Sequence, residues 1–301
     1  MVGSCERKGY NQQKGDGLKT RIVTDSTCDL PAESLEALGI GVVPNYINIG
    51  ESSYLDGTEM THQEFYEKLE SFSSHPKTSS PGSGLFETVY SRLAEEGARD
   101  IISLHIHSGL SNLSNAARIA ARSVRNVQVT VMEVGQVARG LGFIVLSAAE
   151  AAMNGQPAED IIKLIRDQDR RTVTYAVLDT VEYLKKSGRA PSLLVGIANL
   201  LRIKPIIQLH EGALKLAGQV RTSSRAIEWL VSHMRGPEGV EKLAVLHTNA
   251  LGLAEKLRDN IQAVFPSLGT IVISEATPAL GVHVGPHVLG LVFVRSRSSE
   301  V

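Results

Sequence analysis

Three polar segments carry the residues best suited to chemistry. Thr78-Ser-Ser-Pro-Gly-Ser83 sets four hydroxyls beside an expected helix start. Hydroxyls and N-terminal amides together cradle an anion, although the same residues would also make a turn and a helix cap. Ser108-Gly-Leu-Ser-Asn-Leu-Ser114 lies between an expected strand and an expected helix. Its Ser111 could hydrogen-bond a carboxylate or cap the helix. Gly281-Val-His-Val-Gly-Pro-His287 is the third. Two glycines and a proline give it an unusual backbone path, and His283 on that path is a candidate ligand for an anion or a metal. No further His, Asp or Glu set at metal-ligand spacing is evident, so no metal is expected.

Smaller signals accompany these. Asp25-Ser26 follows the first strand and could orient a ligand or form an Asx-turn. Gly188-Arg189 follows Lys185-Lys186, as expected of a helix C-terminus. Arg221 and Arg225 flank a helix start, where the dipole prefers acids, which hints at a binding role. GxSxG, Walker A, HExxH and GxGxxG motifs are all absent from the chain. A Ser111/His283 hydrolase or acyl transferase acting on a lipid-like ester is therefore the alternative to a binding protein.

The elements that must position these residues read as follows. A strand over 21–25 leads to a helix after Asp29-Leu-Pro31, and a second strand covers 42–48. Thr61-His-Gln-Glu64 is a capping box opening a helix to about 71, and 73–84 reads as a loop. A helix over 84–97, a strand over 101–106, a helix over 116–123 and a strand over 127–132 follow, then helices near 141–153 and 158–170. This alternation predicts a mostly parallel sheet with helices on its faces, and ligands in such sheets sit at loops beyond the strand ends. The rest has another rhythm, with strands near 172–177, 203–209, 243–247, 270–274 and 288–294.

The chain has 301 residues, which suits two domains, with 43% hydrophobic and 21% charged residues. Acidic and basic residues number 32 and 31, so no global field attracts nucleic acid. Cys5 and Cys28 form no CxxC motif and fit a reducing cytoplasm. No apolar run of membrane-spanning length occurs, and the polar residues 1–20 read as a disordered extension rather than a secretory signal.

Taken in order, several segments resemble the DegV family over residues 21–294. They are Ile22-Val-Thr-Asp-Ser-Thr-Cys-Asp-Leu30, Thr78-Ser-Ser-Pro81, Leu110-Ser111, Tyr183-Leu-Lys-Lys-Ser-Gly-Arg189, Leu201-Arg-Ile-Lys-Pro205, Gly212, Arg221 and Gly281-Val-His-Val-Gly-Pro286. The resemblance implies a two-domain α/β fold: a mostly parallel N-terminal domain over 21–160, a mixed-sheet C-terminal domain over 161–301, and a ligand between them. It implies that the protein binds a long-chain fatty acid such as palmitate, stearate or oleate, without being a catalyst, and presents it to a fatty acid kinase that makes the acyl phosphate. No cofactor is implied, and transient contact with a membrane surface is expected. Carried over position by position, Thr78 or Ser79, Ser111 and His283 contact the carboxylate. Arg189 and Arg221 match arginines near the head group or the kinase-facing surface, and Asp25 and Ser26 match the opening motif. A protonated His283 would add charge assistance. Apolar runs over 141–146 and 193–201 are tail-channel candidates. The chain departs from the family pattern at Ser111-Asn-Leu113, where Ser-Gly-Thr is usual. It departs again at Glu133-Val134, where Asp-Ser is usual, and at His287, where Gly is usual.

Overall fold

The computed structural model describes residues 19–189, 203–236 and 239–297. The expected extension, but for its last two residues, and the apolar run 193–201 lie outside these. The first half is built on a parallel sheet of order β2-β1-β6-β7, from Gly41–Val43, Thr20–Asp25, Asp100–Ile106 and Gln128–Val134. β1 and β6 are buried along nearly their whole length, the pattern of strands covered on both faces. The covering helices are α3 (Ser83–Glu95) with α4 (Leu113–Ser123), and α5 (Ala138–Met153) with α6 (Ala158–Arg171). Phe86, Tyr90, Ala117, Leu141 and Ile144 share one core with the sheet. Ile161 and Ile165 bring α6 into that core.

The expected single strand over 42–48 is two strands in two sheets. Pro44, which fixes φ and donates no N–H, ends β2. The chain then turns into β3 (Tyr46–Ile49), the centre of a small antiparallel sheet with β4 (Ser52–Leu55) and β5 (Lys77–Ser79). β5 lies inside the segment expected to be a loop. α2 (His62–Lys68) starts with the expected capping box: Thr61 Oγ1 accepts from Glu64 N at 3.2 Å and Glu64 Oε2 accepts from Thr61 N at 3.1 Å.

The second half holds a mixed six-stranded sheet, β10-β9-β8-β13-β11-β12. Its strands are β8 (Thr172–Val177), β9 (Lys204–His210), β10 (Ala213–Val220), β11 (Val240–His247), β12 (Val272–Glu275) and β13 (Leu289–Arg295), with only β11 and β12 parallel. Side chains alternate along β11 and β13, so one sequence serves two cores. Leu243, Val245, Leu291 and Phe293 pack with the helices Ser223–His233 and Leu251–Val264. Ala244, Leu246, Val292 and Val294 pack against Ala138 and Phe143 of α5. Thus α5 lies between the two sheets.

The segment around His283 is not the expected loop. Thr277 and Pro278 open a helix, Pro278–Val284, with proline in its first turn. Ala279 and Val282 of this helix pack on Ile47, Phe65 and Tyr66. Gly281 suits this packing because a Cβ there would lie 2.5 Å from Tyr66 Oη. Tyr66 Oη donates to Ala276 O at 2.8 Å, tying α2 to the chain just before the helix that carries His283. No helix among the described residues is long and apolar enough to cross a membrane.

Candidate functional site

Where the two halves meet, they enclose a cavity of about 300 Å³. Its apolar wall takes Ile106, Leu110 and Leu113 from the first half and Ala176, Ile207, Leu209 and Leu214 from the second. Leu184 of α7 (Glu182–Ser187), with Leu280 and Val284 of the His283 helix, completes it. The polar lining includes Thr78, Ser79, Ser80, Ser111, Arg189 and His283.

Period-two alternation along β5 and its exit separates the three hydroxyls. Thr78 Oγ1 lies 2.9 Å from His283 Nε2, and Ser80 Oγ lies 3.0 Å from Ser111 Oγ. Ser79 is exposed, and its hydroxyl accepts from Asn48 Nδ2 at 3.1 Å. Ser80, then, takes the position beside Ser111. Gly188, left-handed at φ 66°, ends α7 and turns the chain so that Arg189 reaches the cavity. Arg189 Nη1 donates to Ser187 O at 2.9 Å.

Burial, with the charge of Arg189 and then His75 nearby, pushes His283 down to about 4. The ring is therefore neutral at pH 7, and the expected charge assistance falls to Arg189. His283 Nδ1 is buried without a hydrogen-bond partner among the described residues. His75 is half-buried, and burial lowers its pKa too.

Asp25 and Ser26 stand one residue back from the cavity. Asp25 is wholly buried. Its Oδ1 accepts from Thr27 N at 3.0 Å, and its Oδ2 accepts from His105 Nδ1 at 2.7 Å. Tyr90 Oη donates to Ser103 Oγ at 2.7 Å, and Ser103 Oγ lies 2.7 Å from His105 Nε2. This Asp–His–Ser–Tyr row is closed to solvent and fixes Thr27, which does line the cavity. Ser26 Oγ accepts from Asn45 N and Nδ2, both at 3.1 Å, and Asn45 is a lining residue as well. Arg221 lies elsewhere, exposed in a shallow cleft with Arg225 and Trp229.

The departures from the family pattern also have places. Asn112 stands at the N-terminus of α4, and Leu113 turns a fully buried apolar side chain to the cavity. Burial would raise Glu133, but hydrogen bonds from Ser108 N, Arg118 and Ser114 outweigh it and hold the carboxyl at about 2. His287 adopts the left-handed conformation, φ 61°, that glycine usually supplies, and it lies away from the cavity. No group of three or more His, Cys, Asp or Glu side chains that could hold a metal occurs among the described residues.

The sequence does not single out Ser80, Asn45 and Thr27 as lining residues, nor Leu209 and Leu214 on either side of the turn 210–212. Reading 77–80 as a strand would have pointed to Ser80 through alternation with Thr78.

Known proteins share this architecture. A DegV family protein from Thermus thermophilus, described as binding fatty acid, superposes with a TM-score of 0.85 at 30% identity, covering 92% of this chain and 99% of that one. DegV of Bacillus subtilis, described as a fatty acid binding protein, gives 0.83 at 28% identity, covering 92% and 99%. A DegV domain-containing protein of Streptomyces coelicolor is 35% identical over 275 residues, 90% of this chain and 96% of that protein. The family described as "Uncharacterised protein, DegV family" matches residues 19–296. With that coverage of sequence and fold together, the chain belongs to the DegV family.

Proposed function

We propose that this protein binds one long-chain fatty acid, such as palmitate, stearate or oleate, in the cavity between its two halves. The observation that carries the reading is an apolar cavity with a compact set of donors: Thr78, Ser80, Ser111 and His283 in two hydrogen-bonded pairs, and Arg189 beside them. A carboxylate cannot be buried bare. The hydroxyls can turn their hydrogens toward it, the neutral imidazole can donate through one nitrogen, and Arg189 supplies the positive charge. A tail of about 15 methylenes at about 0.8 kcal/mol each contributes on the order of 12 kcal/mol, enough to exceed several kcal/mol of association cost. The cavity volume falls at the lower end of the range for small-molecule sites, about 300–1,000 Å³. The fatty-acid-binding relatives in Thermus thermophilus and Bacillus subtilis support the same ligand class.

The protein acts as a carrier in the cytoplasm and presents the acid to a fatty acid kinase, with brief contact at a membrane surface. The two domains meet around the ligand, and neither catalyses a reaction on it. A Ser–His hydrolase has less support. Ser111 pairs with Ser80, His283 pairs with Thr78, and the free imidazole nitrogen faces no orienting acid among the described residues. Calorimetric titration of the delipidated protein with palmitate and with hexadecanol tests the reading. Tight, one-to-one binding of palmitate, and weaker binding of the alcohol, is expected. Binding of neither would refute it.

A further inference from the structure

Residues 110–113 form the stretch of the first half that faces the cavity most continuously, since all four line it. They run from the loop that leaves β6 into the first residue of α4, and in such a loop backbone normally moves. Both ends of this loop are tied to one side chain on the neighbouring strand. Glu133 Oε2 accepts from Ser108 N at 2.8 Å, and Glu133 Oε1 accepts from Ser114 Oγ at 2.9 Å. Arg118, one turn further along α4, closes the arrangement. Its Nη2 lies 2.7 Å from Glu133 Oε1, and its Nη1 donates to Ser114 Oγ at 3.2 Å. Ser114 is fully buried and the Glu133 side chain is only 16% exposed, so the bonds at Ser114 are partly shielded from water, while those from Ser108 N and Arg118 Nη2 lie nearer the surface.

We infer that Glu133 is a positioning residue for the ligand site: by holding residues 108 and 114 together, it sets the direction in which Ser111 presents its hydroxyl. The inference rests on the fatty-acid reading for its ligand, but not for its geometry. Ser111 sits midway between the two tied ends, and its own backbone bond is weak, with N to His107 O at 3.4 Å. Without the carboxylate, Ser108 N–H and the Ser114 hydroxyl lose their acceptor, and Arg118 loses its counter-charge. The loop is then free to relax, and Ser111 drifts from Ser80. The low pKa of Glu133 means that the tie stays charged through the whole physiological pH range.

The test compares wild-type protein with Glu133→Gln and Glu133→Ala, and with Glu133→Asp as the conservative variant. Two ligands with the same tail are used, palmitate and hexadecanol, alongside amide hydrogen exchange over 108–114 without ligand. The Gln and Ala variants are expected to bind palmitate about tenfold more weakly, with hexadecanol changed by less than about twofold. Exchange over 108–114 is expected to quicken, and the Asp variant to recover part of the palmitate affinity. Equal losses for both ligands, or unchanged exchange, would overturn the inference. Should the Ala variant fail to fold, the Gln variant decides, because it keeps the side-chain volume while its single amide oxygen cannot accept at both ends of the loop or neutralise Arg118. Should wild-type protein take up neither ligand, the fatty-acid reading fails, and unchanged exchange in Glu133→Gln would then refute the tie separately.

Discussion

Replacing Ala176 by phenylalanine should block the cavity without unfolding the protein. Ala176 lies one residue before the end of β8, paired with Ile207 and Gly290, and its side chain lines the apolar wall. The added phenyl ring has open space before it, so the usual cost of overpacking a core does not arise. The ring takes the room of about four methylenes, which at about 0.8 kcal/mol each removes about 3 kcal/mol of tail burial, or roughly a 200-fold loss of palmitate affinity. Direct titration measures the affinity, and thermal unfolding of the ligand-free protein checks the fold. Filling an apolar cavity should leave the melting temperature equal or higher. The loss should also grow with chain length, being least for short acids that leave the far end of the cavity empty. Wild-type palmitate affinity in Ala176→Phe, with the fold intact, would show that the tail lies somewhere other than this cavity.

Other consequences follow from the same geometry. Ser111→Ala and His283→Ala each remove a hydrogen bond to a buried charge, worth about 1.5–3 kcal/mol, so each should weaken palmitate roughly 10–150-fold in titration. Burial lifts Asp29 to about 8 and Asp56 to about 7, so the folded protein keeps protons that the unfolded chain releases near its ordinary value of 3.8. Stability from these two groups is therefore greatest at acid pH and falls as pH rises from about 4 to about 8. Asp29→Asn with Asp56→Asn should flatten that slope in denaturant midpoints measured across pH, and an unchanged slope would contradict it. Gly212 has φ 73°, and a Cβ there would overlap the His107 ring, so Gly212→Ala should lower the melting temperature and loosen the 107–109 turn, as read by hydrogen exchange.

Much of the fold is legible in the sequence because local and global preferences agree there. β1 and β6 read as short strands with Ile-Val and Ile-Ile at their centres and polar loops after them, and the Thr61/Glu64 box and Gly188 mark helix ends where they occur. The failures lie where tertiary packing overrides local preference. Lys77-Thr-Ser79 has little apolar character, and its strand exists because β3 supplies the ladder. The Pro278–Val284 helix contains a glycine that looks like a breaker, yet the approach of Phe65 and Tyr66 makes it the residue that fits. The hydroxyl segments and His283 stand out as polar groups among small residues. Asp25 and Ser26 stand out equally, but serve the cavity through Thr27 and Asn45. That distinction depends on which side chain each one bonds, and no spacing in the sequence encodes it. Arg221, flagged by its place at a helix start, lies in a cleft apart from the cavity.

Denaturing mass spectrometry of the lipid extracted from purified protein is the most direct test of the central claim. One equivalent of a C14–C18 fatty acid per chain is the predicted result, with its length and unsaturation identifying the preferred ligand. Protein that carries no lipid, and takes up neither palmitate nor oleate when they are added, would contradict the account.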